Sequence, residues 1–268
     1  MKQIKVMMIA IMVMIGVGFT SCMESEEYTP QGVGTVEVIS YLGLTYFKDL
    51  SGVEIHPTSS SLAAMESQYK FNSSGTRIAY ILYEFSNEGN ENMAASKKIT
   101  NAVLKYAVSL DGTVEEVSEA GNPNDSITTA PIISIDNLST TTGEEGFFII
   151  NDRYIFAGIN YFYQKKSHQF TLVYYSTEQE EGKLKLHLRH SGTPEDNNVT
   201  TNSMQVSNSY YAPQIYMKSF DLNRLPISLD DGMTIEIETD INPYNNKLDD
   251  ANNTKKKTYT IVYKRTEN

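Results

Sequence analysis

The chain has one cysteine, no tryptophan and only eight prolines in 268 residues. A lone thiol excludes an internal disulfide and a thiolate-rich metal site, so apolar burial has to supply the stability. Positive charge is also scarce, with 22 basic against 33 acidic residues and a net charge of −11. Such a field repels polyanions and argues against nucleic acid as a partner. Between Met23 and Ser118 six basic residues stand against thirteen acidic ones, so the positive groove that single strands require is missing. No G-x-S-x-G, H-E-x-x-H, phosphate-loop or dinucleotide motif is present. Heptads and fixed-period repeats are absent too.

One long apolar run exists, at the N-terminus. Val6 to Phe19 follows Lys2 and Lys5 and carries no charge, which is the pattern of a secretory signal. At about 14 residues it falls short of the roughly 18 that span a bilayer as a helix. Phe19-Thr20-Ser21-Cys22 resembles the lipobox of bacterial lipoproteins, which predicts cleavage after Ser21 and acylation of Cys22. Two or more acyl chains make a stable anchor, so the first expected partner is a membrane. The acidic Met23-Glu24-Ser25-Glu26-Glu27 resembles the export signal that sends lipoproteins of the Bacteroidota to the cell surface. It predicts an outer-membrane protein facing outward. Loss of residues 1–21 removes two lysines and no acid, leaving about 245 residues and a net charge near −13.

Residues 22–34, with Pro30, Gly32 and Gly34, read as a flexible tether. Beyond it, 18 tyrosines and 10 phenylalanines join a Thr, Ile and Val background that favours strands. Apolar alternation predicts strands at Thr35 to Tyr41, Leu44 to Lys48, Val53 to His56, Thr76 to Phe85 and Ile99 to Leu110. Leu62, Met65 and Tyr69 recur at helical spacing after a serine-rich entry. Five strands with a short helix between the third and fourth is the order of an OB-fold, assigned to residues 35–110. Residues 111–131, rich in Gly, Asn, Pro and acids, read as an interdomain linker. Residues 132–268 give strand after strand, with Asn151-Asp152 as a hairpin turn and Leu184, Leu186 and Leu188 alternating with Lys185, His187 and Arg189 as a half-buried strand. That pattern predicts an antiparallel β-sandwich.

Several segments resemble the NigD-like lipoproteins of the Bacteroidota. They are Tyr46-Phe47-Lys48-Asp49-Leu50-Ser51-Gly52, Gly75-Thr76-Arg77-Ile78, Leu186-His187-Leu188-Arg189-His190, Ser219-Phe220-Asp221-Leu222 and the terminal Lys257-Thr258-Tyr259-Thr260-Ile261-Val262-Tyr263. The resemblance spans nearly the whole chain and rests on the order of short motifs. It implies an OB-like first domain, an immunoglobulin-like second domain and no established enzymatic activity. Asp240 to Lys257 is longer than the resemblance leads one to expect.

Candidate chemistry is sparse. His187 and His190 lie three apart on a strand and so point to opposite faces, which prevents a shared metal. Asp230-Asp231-Gly232 and Asp249-Asp250 lack calcium-loop spacing and read as turns. No catalytic, cofactor-binding or metal-binding residue is assigned, and no cofactor is expected. Tyr46, Tyr80 and Tyr83 are candidates for stacking on a sugar. Asp125-Ser126-Ile127 resembles the O-glycosylation acceptor of the Bacteroidota, with Ser126 as the modified residue. The reading is a lipid-anchored, non-catalytic binding or interaction module that contacts an envelope protein or an extracellular ligand. Its alternatives are a glycan-binding accessory of a surface uptake system and a hydrolase whose two carboxylates are distant in sequence. Nothing in the sequence sets the oligomeric state.

Overall fold

The structure, a computed structural model, describes residues 29–117, 127–139, 144–162, 168–192 and 213–265. Cys22, the leader around it and Ser126 lie outside the described residues. Five strands close a barrel: β1 (Gln31–Tyr41), β2 (Leu44–Asp49), β3 (Glu54–Pro57), β4 (Ile78–Glu84) and β5 (Lys98–Ser109). Their order is β1-β2-β3-β5-β4, and β4 returns to pair with β1. Helix α1 (Ser59–Gln68) lies between β3 and β4, and the Thr58 side chain caps it by accepting from the Ser61 N–H. Its buried Met65 packs with Val36, Val38, Phe47, Ile55, Ile81 and Leu104 in the barrel core. A second short helix, α2 (Met93–Ser96), precedes β5. This is the OB-like order that the periodicity predicts.

The second body holds β6 (Thr113–Val117), β7 (Ser134–Asp136), β8 (Phe148–Ile150), β9 (Tyr154–Phe162), β10 (His168–Tyr175), β11 (Lys183–Gly192), β12 (Pro213–Asp221), β13 (Thr234–Ile241) and β14 (Lys255–Val262). One sheet runs β14-β13-β11-β10-β6; the other runs β12-β9-β7, with β8 also on β9. Alternate residues of β10 (Phe170, Leu172) and β11 (Leu184, Leu186, Leu188) meet Ile155, Ala157 and Ile159 of β9 in a shared core. That is a sandwich built from one face of each sheet. The ladders are mostly antiparallel, as predicted, but β6 with β10 and β11 with β13 are parallel.

Two boundaries differ from the sequence reading. Gln31 to Gly34, expected in the tether, pair with β4 (Gln31↔Glu84, Gly34↔Ile81). Gly32 stands there because a Cβ would lie 2.3 Å from Cζ of Tyr83. Thr113–Val117, expected in the linker, is an edge strand of the five-stranded sheet. Just before it, a Cβ on Gly112 would lie 2.3 Å from Cε1 of Phe220. Both glycines permit close approach of an aromatic ring to backbone, whereas their composition signalled flexibility.

The junction between the bodies is apolar and specifically bonded. Ile78 and Leu110 of the barrel side cluster with Ile150, Tyr154 and Phe156 of the sandwich, beside Tyr80, Val108, Phe148 and Met217. The Ser219 N–H donates to the Leu110 carbonyl (2.9 Å), and the Gly112 N–H donates to the Ser219 carbonyl (2.7 Å). Asp111 closes it, its two carboxylate oxygens accepting from the N–H groups of Arg77 (2.7 Å) and Ile78 (2.9 Å).

Candidate interaction surface

β1 and β2 are joined by two residues, Leu42 and Gly43, at φ of 49° and 81°. The closing pair is Tyr41↔Leu44. Two consecutive left-handed residues make a type I′ turn, for which Asn-Gly is preferred because most other side chains clash there. A leucine in that conformation costs about 1–2 kcal/mol. Leu42 is nevertheless 84% exposed, between Tyr41 at 73% and Leu44 at 75%. The strand pattern explains the direction: Val36, Val38 and Phe47 face the barrel interior, so Ile39, Tyr41, Leu44 and Tyr46 fall on its outer face. Ile39 pairs with Tyr46 there, and the Tyr46 ring lies flat on His56 of β3 at 5.0 Å and 8°. The result is an apolar and aromatic patch running from the hairpin tip along the outside of β1, β2 and β3.

Of the three candidate stacking tyrosines, only Tyr46 belongs to this patch. Tyr83 is buried in the barrel core, and Tyr80 packs on the junction cluster. Sequence reasoning passed over Tyr41, Leu42 and Leu44, although an apolar residue where turn chemistry wants asparagine was the available signal.

The histidines divide as predicted between the two faces of β11. His190 follows the leucines inward, stacks on Phe170 with centroids 4.6 Å apart, and has Nδ1 3.2 Å from the Pro131 carbonyl. Its Nε2 lies 2.9 Å from Nδ1 of His168, a partner 22 positions away that no local pattern reveals. Burial pushes the His190 imidazole down to about 4. On the other face His187 Nε2 is 2.7 Å from Glu178. Arg189, expected at the solvent-facing side of a half-buried strand, is only 1% exposed. Its guanidinium lies 3.1 Å from His187 Nδ1 and 3.7 Å from Asp240 on β13, so one acid on the adjacent strand offsets part of the cost of its burial.

The acidic pairs behave as turns. Met233 N–H donates to the Asp230 carbonyl, and Asp231 accepts from the Arg265 N–H at 2.8 Å. Asp250 accepts from the amides of Asn245 and Asn253. Among the described residues no group of three or more His, Cys, Asp or Glu is placed to hold a metal ion. Nor is any helix among them long and apolar enough to cross a membrane.

Fold and surface together define an all-β protein with an OB-like closed barrel joined through a buried interface to a β-sandwich. No protein-family model matches the chain, and no curated protein matches it. Solved structures do resemble it. A candidate lipoprotein (BF3042) from Bacteroides fragilis NCTC 9343 aligns at TM-score 0.64 and 23% identity, covering 89% of this chain and 100% of that one. A candidate toxin-related protein from Parabacteroides distasonis ATCC 8503 aligns at 0.52 and 15%, covering 88% and 94%. A NigD-like immunity protein from Bacteroides caccae ATCC 43185 aligns at 0.47 and 11%, covering 89% and 99%. The first two likenesses are likenesses of fold, and they extend over both bodies.

Proposed function

We propose that this protein is a lipid-anchored, non-catalytic envelope module that docks a protein partner through the β1–β2 hairpin. The observation that carries the reading is Leu42, a strained and exposed leucine that neither the core nor the turn requires. Residues that weaken folding without packing anywhere are the ones expected where function acts. An apolar patch rimmed by polar residues is the usual mark of a protein contact. The charges beside the patch are mixed in sign, with Glu37 facing Lys48 across the ladder and Glu54 beside His56 and near Lys98, so among the described residues it lacks the purely basic flank that favours anionic lipid. β1 also separates the tip from the tether: its 11 residues, at about 3.4 Å each, carry the hairpin to the far end of the strand from the anchor. The outer membrane and its outward face are part of the same proposal. They are supported by the lipobox-like Cys22, the acidic leader and the fold shared with a candidate lipoprotein.

Two experiments test it. Cys22→Ala should move the protein from the detergent phase to the aqueous phase; unchanged partition would remove the anchor from the reading. A photo-crosslinking residue at position 42 or 44 should yield a protein adduct of discrete mass on intact host cells, while one at the exposed Val262 of β14 should not. Leu42→Asn should raise stability by about 1 kcal/mol and abolish the adduct from position 44. Adducts with lipid alone, or equal adducts from position 262, would contradict docking by the hairpin.

A further inference from the structure

A groove of about 490 Å³ opens where the C-terminal end of α1 and the end of β5 meet the first residues of the sandwich. It is independent of the hairpin surface. Its size is that of a small-molecule site, and a boundary between two bodies is a usual place for one. Lys70 lines it from the barrel and Arg224 from the sandwich. Neither makes a hydrogen bond or an ion pair within 4 Å among the described residues. In a chain of net charge −11, two cations on one groove without a hydrogen bond or close ion pair stand out, and Arg224 is balanced only at longer range by the charges of Asp111 and Asp221. The carboxylate within the groove, Asp111, gives its oxygens to the backbone of Arg77 and Ile78 instead. Lys70 is also fixed in place. Its backbone sits at φ 57°, directly after the helix and beside the buried Phe71, whose N–H donates to the Met65 carbonyl. A lysine thus holds the left-handed position where glycine or asparagine normally ends a helix.

The remaining lining is suited to a polyhydroxylated ring. Thr76, Ser109 and Thr113 supply hydroxyls, and Tyr69, half-exposed and edge-on to Tyr106 at 6.0 Å, supplies an aromatic rim. We propose that this groove binds an acidic sugar, its carboxylate held by Lys70 and Arg224 and its hydroxyls by the threonine and serine side chains. A guanidinium and an ammonium are the side chains that recognise a carboxylate by charge-assisted hydrogen bonds.

The test uses the full chain in detergent, with D-glucuronate as the probe and D-glucose as its neutral counterpart. Glucuronate should bind with a dissociation constant of about 1 mM or tighter and raise the melting temperature, since the ligand bridges both bodies. Glucose should bind at least about tenfold more weakly. Lys70→Gln and Arg224→Gln, both at exposed side chains, should leave the unliganded melting temperature unchanged and each weaken glucuronate about tenfold. Inorganic sulfate should compete with glucuronate in the unsubstituted protein. The proposal is overturned if glucuronate does not bind, if glucose binds equally well, or if both variants keep full affinity.

Discussion

Lowering the pH from 7 to 4 is expected to cost the folded protein about 3 kcal/mol through His190 alone. The imidazole is 3% exposed, and burial brings its value from the ordinary 6.5 to about 4. Between those values the unfolded chain holds a proton that the folded chain does not, so stability falls as the pH falls. Its contribution is intact above pH 6.5 and drains progressively toward pH 4. Geometry gives the same direction. Neutral His190 donates from Nδ1 to the Pro131 carbonyl and accepts at Nε2 from His168. Protonation would set an N–H against that donor inside an aromatic cluster of Tyr161 and Phe170. Denaturant unfolding at a series of pH values measures the slope. His190→Gln, which keeps a donor for Pro131, should flatten it between pH 6.5 and 4. Equal slopes for the two proteins would show that other groups set the acid sensitivity.

Asn242→Ala should destabilise the protein by about 3 kcal/mol, the cost of stranding several buried polar partners at once. Asn242 is 0% exposed. Its amide donates to Asn245 Oδ1 (3.0 Å), Thr254 Oγ1 (3.0 Å) and the Lys247 carbonyl (3.4 Å). Its own carbonyl oxygen accepts from the N–H groups of Tyr244 (3.0 Å) and Asn245 (3.1 Å). One side chain therefore organises the loop between β13 and β14. The Asn242 backbone N–H also donates to Ile132, tying that loop to the start of β7. In a chain of this size the expected loss lowers the melting temperature by roughly 6–12 °C. New proteolytic cleavage should appear beside Tyr244, which is already 74% exposed. Asn242→Asp should do no better, since a carboxylate cannot donate and would carry buried charge. A loss below about 1 kcal/mol would mean that the Asp250 bonds to Asn245 and Asn253 hold the loop unaided.

Much of the architecture was legible in the sequence because the apolar patterns are local. The five barrel strands and the helix before β4 are found within a few residues of their predicted limits. The sandwich strands from β8 onward follow the same alternation, and Asn151-Asp152 forms the expected turn at positive φ. β6 was missed because its sequence, Thr-Val-Glu-Glu-Val, has one buried residue, Val114. An edge strand with so little buried surface leaves no period to read. The Asp240 to Lys257 segment stands out in the sequence by its length, yet nothing local distinguishes Asn242, which organises it, from the other asparagines around it.

By itself the sequence determined the class of fold, the split of His187 and His190 between faces, and the exclusion of disulfide chemistry. Each follows from composition or from a period of two or 3.6 residues. The tertiary structure alone decided which residues meet across distant segments. It placed His168 against His190, Asp111 on the backbone at the start of β4, Lys70 and Arg224 on the lining of one groove, and Tyr41, Leu42 and Leu44 in solvent. It also gave Gly32 and Gly112 their meaning, since a glycine looks the same in a sequence whether it frees the backbone or makes room for Tyr83 or Phe220. Contacts of that kind depend on strand order and on the relative position of two bodies, and neither is written in the local alternation of side chains.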